Sequence, residues 1–233
     1  MFEIIAFDAD DTLWDNEILY ILAKARFVEL LSIYQDSDLI ERRLDEIEVG
    51  NVSVYGYGIK SFMLSMAETA VELTGGRITG WEMSKVLDLG RQMLLHPVHL
   101  FPHTEEVLGE LSKNWALMLL TKGDVFEQSK KIERSGVSHY FRYIEITGEK
   151  TKASYQALFE RRSIDSRKFL MIGNSLKSDI LPVIELGGQA VYIPYQNTWS
   201  HEHASQDEVS NGGYHEIENL GQLPGLIGKL VNW

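Results

Sequence analysis

Asp8-Ala9-Asp10-Asp11-Thr12 stands directly behind the apolar run EIIAF at residues 3–7. Carboxylates at i and i+2, leaving a buried strand into a turn, can converge on one pocket. Such a pair suits a divalent, oxygen-loving cation such as Mg²⁺. It also suits divided labour, with one carboxylate as nucleophile and the other as proton carrier. The same letters also describe a polar loop with a capping aspartate, so the pair needs company before it means chemistry.

That company follows in order. The run ALMLL at 116–120 ends in Thr121-Lys122-Gly123, a hydroxyl and flexible backbone amides able to hold a phosphoryl oxygen. Glu149-Lys150-Thr151-Lys152 opens a helical pattern at Tyr155, placing a lysine ammonium beside a helix N-terminus, both favourable to an anion. The run FLMI at 169–172 ends in Gly173-Asn174-Ser175, with Asp179 one helical turn later, adding oxygen ligands for a metal.

The elements that must position these residues are legible in the hydrophobic pattern. Apolar runs at 3–7, 116–120, 143–146, 169–172 and 190–193 alternate with helical patterns, which implies a parallel sheet flanked by helices, an α/β Rossmann-like architecture. Ligands of such sheets sit at the C-terminal strand ends. Between the first and second runs lie about 100 residues without a convincing strand. Ile18, Ile21, Leu22, Ala25 and Val28 repeat at helical spacing. So do Leu39, Ile40, Leu44 and Ile47 behind a Ser37/Asp38 cap, and Ile59, Phe62, Met63, Met66 and Ala70 before Gly75-Gly76. Thr79 with Glu82 makes a capping box for a fourth helix, which must end near Pro97. The stretch Gly50 to Gly58 reads as a loop. The expected organisation is therefore a core from 1–16 and 100–233 and a small all-helical domain over 17–99.

Composition narrows the function classes. The 233 residues are 44% hydrophobic and 24% charged, which fits a folded globular protein and excludes a disordered chain or a rod. Lys plus Arg is 22 against 34 Asp plus Glu, a net charge of −12 that opposes long-range attraction to a nucleic acid polymer or an anionic membrane. An anionic substrate must then find its positive charge locally, in a metal, a lysine or a helix N-terminus. Zero cysteines exclude disulfides, thiolate metal sites and cysteine nucleophiles. With no leader-like segment and no long apolar stretch, the cytoplasm is the expected location. Nothing in the sequence fixes an oligomeric state.

The four motifs, in this order, resemble those of the haloacid dehalogenase superfamily, over the core from the first strand to about residue 195. Thr121-Lys122-Gly123 with Gln128 and Lys131 downstream, Gly136 before Tyr140-Phe141, and Asp179-Ile180 leading to Gly187-Gly188 are similar to the same family. The helical insert resembles the family's cap placed just after the first strand. The resemblance implies a Mg²⁺-dependent phosphatase acting on a small phosphorylated metabolite. Asp8 would be the nucleophile, forming an aspartyl-phosphate and touching Mg²⁺. Asp10 would protonate the leaving oxygen and then activate water, its main-chain carbonyl binding metal. Lys150 would neutralise transferred oxygens, with Lys152 as the alternative lysine. Thr121 would hold a phosphoryl oxygen together with the amides near Asp10 and Lys122; Thr12, Asn16, Lys122 and Gly123 complete the expected substrate-binding set. Asn174 and Asp179 would complete the metal shell. Members that cleave carbon–halogen bonds lack an acid two positions after the nucleophile, because halide leaves without a proton. Asp10 therefore favours phosphoryl transfer.

Two other readings share these residues: a phosphomutase that returns the phosphoryl group to its substrate, and a phosphate-binding module without turnover, suggested by Asn174 where many members have aspartate and Thr151 where proline is common. The remaining polar clusters read as structural. The acidic stretch from Asp36 to Glu48 is a solvated helix face broken by Arg42 and Arg43. His96, His99 and His103 are separated by helix-breaking Pro97 and Pro102, and read as loop histidines. His201 and His203, after Trp199, read as a loop near the ligand end of the sheet. Asn16 and Glu17 either line a pocket or simply start a helix, and Trp14 and Trp81 are expected to pack.

Overall fold

The computed structural model describes residues 2–196 and 213–231. The chain divides into two compact units, Met1–Glu17 with Val98–Trp233, and Ile18–Pro97. His201, His203 and Trp199 lie outside the described residues.

The larger unit is built on a parallel sheet of β1 (Ile4–Phe7), β2 (Ala116–Lys122), β3 (Tyr143–Thr147), β4 (Phe169–Gly173), β5 (Gln189–Tyr192) and the two-residue β6 (His215–Glu216), in the order β3-β2-β1-β4-β5-β6. Five of these strands follow the expected apolar runs. β6 is too short to leave a periodic signal, and it exists because it pairs with β5. Because side chains alternate across a strand, each central strand feeds two cores. Ile5, Phe7, Leu117, Leu119, Leu170, Ile172 and Val191 pack on one side; Ala6, Met118, Leu120, Phe169 and Met171 pack on the other. The first layer is closed by Val107 and Leu108 of α5 (Thr104–Leu111), with Ile132 and Ile227, and the second by Tyr155, Leu158, Phe159 and Val183. Burial on both faces explains why the strands read as continuous apolar runs rather than alternating ones.

The register determines where the chemistry falls. Phe7 is level with both Leu119 and Ile172, so β1 and β4 end within one residue of each other, while β2 runs on to Lys122 and carries Thr121 past that height. Chain order reverses direction across the sheet at β1/β4, the crevice position at which such sheets bind ligands.

The helical unit, carried by α1 (Glu17–Leu31), α2 (Ser37–Tyr55), α3 (Ile59–Leu73) and α4 (Gly80–Leu95), has its own core of Phe27, Leu31, Ile40, Leu44, Phe62, Met66 and Val86. The Thr79/Glu82 capping box forms as expected, whereas α2 is capped by Asp36 rather than by Ser37 or Asp38. Gly50 to Gly58 is not a single loop: α2 runs through Gly50 to Tyr55 and stops at Gly56, whose φ of 74° ends it. Tertiary hydrogen bonds override the glycine, since Asn51 reaches Ser65 and Glu68, and Tyr55 reaches Glu68, all on α3. Gly90 on α4 is required by packing, because a Cβ there would sit 2.7 Å from the Met63 sulfur. Trp81 does not pack as expected; it is exposed, with the Lys85 ammonium 5.3 Å from its ring centre.

Candidate active site

The loop after β1 is a tight turn: the amide of Asp8 donates to the Ile172 carbonyl, that of Leu13 to Ala9, and that of Asp11 to Trp14. Asp11 takes a left-handed conformation, φ 62°, and its Oδ1 accepts the amides of Asn16 and Glu17 at 2.9 and 3.0 Å. Its short polar side chain thus compensates locally for a backbone that non-glycine residues avoid, and caps the start of α1. Asp11 is a spacer that shapes the turn, leaving Asp8 and Asp10 to face the site.

Asp8 is buried, and each carboxylate oxygen is engaged. Oδ1 accepts from the Lys150 ammonium, and Oδ2 accepts from the Thr12 hydroxyl at 3.0 Å. Lys150, only 4% exposed, also donates to Asp179 Oδ1 at 2.7 Å. Burial pushes the Asp8 carboxyl up to about 7 against the pull of Lys150. Burial opposes the Lys150 charge, but Asp179 and Asp8 outweigh it and hold the ammonium above its ordinary range. One buried cation thus sits between two carboxylates. Lys152 lies at the surface and pairs with Glu185 at 3.2 Å, so the geometry places Lys150 in the site and Lys152 outside it. Thr151, where proline is common, has a structural use: it is the N-cap of α7 (Lys152–Arg162), with a reciprocal bond to Ser154.

Asp179 is held from both sides. Its Oδ2 accepts the Ser175 amide at 3.0 Å, and its own amide donates to the Ser175 carbonyl. This happens in a π-helical turn at Leu176–Ile180, wider than α and common near functional groups. Gly173 makes room: a Cβ there would lie 2.2 Å from Asp179 Oδ2. In the sequence Gly173 is the first residue of the Gly-Asn-Ser motif behind an apolar run, with no sign that it makes room for Asp179.

Asn174 brings its amide to 3.1 Å from the Thr12 hydroxyl and 3.3 Å from both the Asp10 carbonyl oxygen and Asp8 Oδ2. Turned one way the amide donates into this group; turned the other it completes an all-oxygen cluster of Asp8, Asp10 main chain and Asn174. Oxygens that close repel unless a cation lies among them, and these are the ligand types a hard divalent ion takes. The donor set therefore fits Mg²⁺. Asp179, its oxygens already bonded to Lys150 and Ser175, stands behind this cluster.

Asp10 is organised separately, largely by residues to which sequence reading assigned no role. Its Oδ1 accepts the Trp14 indole N–H at 2.6 Å, its Oδ2 accepts the Gln128 amide at 2.9 Å, and Lys131 donates to both oxygens at 2.7 Å. Burial would raise this carboxyl, but the charge and hydrogen bond of Lys131, then Gln128 and Trp14, bring it below its ordinary value. Gln128 and Lys131 share one face of α6 (Val125–Ser135) at i and i+3, a spacing the sequence displays. Gln128 also donates to the Thr121 hydroxyl and to the Lys122 carbonyl, fixing the end of β2. Gly123, at φ 139°, lets the chain turn close over that amide.

The other expected residues are placed as follows. Thr12 is buried against Asp8 and Asn174, and so orients the nucleophile candidate. Asn16 Oδ1 accepts from Lys131 at 2.8 Å. Thr121 is buried at the strand end, and Lys122 reaches Ser178 at 3.4 Å. His96 bonds the Pro97 carbonyl and His103 lies near Glu106. Among the described residues no group of three or more His, Asp or Glu side chains gathers as a metal cluster, the site above relying on a main-chain and an amide oxygen instead.

The model of the haloacid dehalogenase-like hydrolases matches residues 2–187. The chain belongs to that family. Within it, the chain is 35% identical to a haloacid dehalogenase-like family hydrolase from Xanthomonas campestris, with a TM-score of 0.87 over 98% of this chain and 91% of the other. It is 24% identical to the glyceraldehyde 3-phosphate phosphatase of Methanothermobacter thermautotrophicus, over 97% of this chain and all of the relative. It is 23% identical to the 5-amino-6-(5-phospho-D-ribitylamino)uracil phosphatase YigB of Escherichia coli, over 88% and 91% of the two chains. This hydrolase has no helix among its described residues long and apolar enough to cross a membrane.

Proposed function

We propose that this hydrolase is a Mg²⁺-dependent phosphatase that cleaves a small phosphorylated metabolite through an aspartyl-phosphate on Asp8. The observation that carries the reading is the buried Asp8 carboxylate bonded to Lys150 and Thr12, with a second acid, Asp10, on the same turn. Two relatives named as phosphatases support the same chemistry.

An Asp8 oxygen attacks phosphorus and the ester P–O bond breaks; Asp10, an ionised carboxylate at rest that takes up a proton from solvent when the phosphate anion binds, passes that proton to the leaving alkoxide. Water then attacks the phosphorus of the aspartyl-phosphate, giving its proton back to Asp10, and the Asp8–P bond breaks to release inorganic phosphate. Attack by a carboxylate on a phosphate anion meets repulsion, which Lys150 counters from inside the site. Thr121 and the amides near Asp10 and Lys122 hold the transferred oxygens. Asp8, the Asp10 carbonyl and Asn174 would hold Mg²⁺ with Asp179 behind them, and the ion supplies further charge neutralisation there. Asp179 keeps Lys150 aimed at Asp8. We assign substrate selection to the helical unit, acting as a cap, with Lys122 and Asn16 as further contacts, and place the enzyme in the cytoplasm, where a chain without cysteine is at no disadvantage.

The test is release of p-nitrophenol from p-nitrophenyl phosphate, with Mg²⁺ and with excess EDTA, for wild type and Asp8→Asn. The expected outcome is metal-dependent turnover that Asp8→Asn abolishes. Turnover that persists in Asp8→Asn would sink the reading.

A further inference from the structure

Asp10 is the acid that must meet the leaving oxygen, yet its carboxylate is saturated. A carboxylate offers about four acceptor positions, and Trp14, Gln128 and the two bonds from Lys131 fill them. The three partners differ in freedom. Trp14 is locked in the core, 1% exposed. Gln128 is tied at the same amide to Thr121 and the Lys122 carbonyl. Lys131 carries the only charge among the three, is tied to no strand end, and has a side-chain acceptor beside Asp10, Asn16 Oδ1 at 2.8 Å.

We propose that Lys131 is a positioning residue for phosphoryl transfer: parked between Asp10 and Asn16, it aims the Asp10 carboxyl and is the partner that yields when the leaving-group oxygen arrives. The inference deepens the phosphatase reading and rests on it. The lysine comes from α6 and Asp10 from the loop after β1, 121 residues apart, so the contact exists only because the sheet brings them to one end. Removing the ammonium leaves Asp10 with one neutral donor on each oxygen, Trp14 on Oδ1 and Gln128 on Oδ2, and without the charge-assisted bonds that span the two and steady the carboxyl. The loss must then depend on how much the leaving group needs a proton.

The experiment measures kcat/KM for β-glycerophosphate, which leaves as a basic alkoxide, and for p-nitrophenyl phosphate, which leaves without help. This parameter reports the first half-reaction, up to release of the alcohol, and the ratio between substrates does not depend on how much protein is folded. Wild type, Lys131→Met, Lys131→Arg and Asp8→Asn are compared. The expected result in Lys131→Met is a loss of about 100-fold with β-glycerophosphate, at the low end of what a positioned acid contributes, and only a few-fold loss with p-nitrophenyl phosphate. Lys131→Arg, which keeps the charge and the donors, recovers most of the ratio. An unchanged ratio in Lys131→Met, whether activity falls uniformly or stays level, overturns the role of Lys131 while leaving the phosphatase reading intact. Wild-type turnover no greater than that of Asp8→Asn on both substrates overturns that reading and this inference together.

Discussion

At the scale of single residues, the site is a set of compensations for burial. Asp8, Asp179 and Lys150 are nearly inaccessible, and each charge is tolerable only because its neighbour is a short hydrogen bond away. Taking one member away leaves the others uncompensated, which is why the least chemical residue of the group, Gly173, is a sharp probe. Gly173→Ala forces a methyl into the space of Asp179 Oδ2, so the carboxylate must leave Ser175 and Lys150 must follow. Overpacking of this kind costs about 1–3 kcal/mol. We expect a lowered unfolding midpoint in urea and a loss of turnover beyond about 100-fold, a factor that two lost positioning contacts at about 1.4 kcal/mol each would supply. Wild-type activity in this variant would show that Asp179 does not aim Lys150.

At the scale of elements, the sheet register and the helix caps decide which polar residues meet. By the register of β1, β2 and β4, Asp8, Thr121 and Asn174 fall within about one residue of the same height, although β2 itself runs on to Lys122, and α6 and α7 follow β2 and β3 and carry Lys131 and the Thr151 cap. The helices of the smaller unit show the opposite balance between local preference and context. Gly50 stands in the interior of α2 although glycine disfavours helix, and nothing lies within 4 Å of where its Cβ would be. Its backbone is already helical, so Gly50→Ala is expected to stabilise the protein by about 0.5–1 kcal/mol, through reduced freedom of the unfolded chain. A thermal melt checks this; a lower midpoint in the variant would mean that α2 does not continue through residue 50.

For the whole molecule, stability depends on pH through groups whose proton affinity changes on folding. Glu48 on α2 is one, its carboxyl raised from 4.5 to about 7 by burial and by Asp45, against the opposing pull of Lys24. A carboxyl raised in the folded state binds its proton more tightly there than in the unfolded chain. Stability therefore falls as pH rises from about 4.5 to about 7, and the full penalty is present above that window. Glu48→Gln removes the ionisable group. We expect it to raise the melting midpoint by about 2–4 °C at pH 8, the shift that roughly 1 kcal/mol produces in a chain of this size, and to leave it unchanged at pH 4.5. An equal gain at both values would trace the effect to packing instead.

The division between what was readable and what was not follows from the range of each interaction. Strands buried on both faces announce themselves as apolar runs, helix caps as Thr-x-x-Glu, and the order of the motifs was legible because each follows its own strand end; the α/β core and the residues Asp8, Asp10, Thr121, Lys150, Asn174 and Asp179 were therefore visible in the chain. β6, the passage of α2 through Gly50, and the exposure of Trp81 were not, because each is decided by a partner distant in sequence or by the lack of one. The same holds within the site. Sequence left Lys150 and Lys152 as alternatives, and it displayed Gln128 and Lys131 without a task. Only the parallel register, which sets α6 beside the loop after β1, shows that Trp14, Gln128 and Lys131 surround Asp10, and that one lysine is buried between two carboxylates while its neighbour faces solvent. Local patterns determine which elements form, since hydrogen bonds within a turn or a strand edge depend on adjacent residues. Charge pairing is decided by tertiary structure, since a carboxylate's proton affinity depends on whatever the fold brings within a few ångströms.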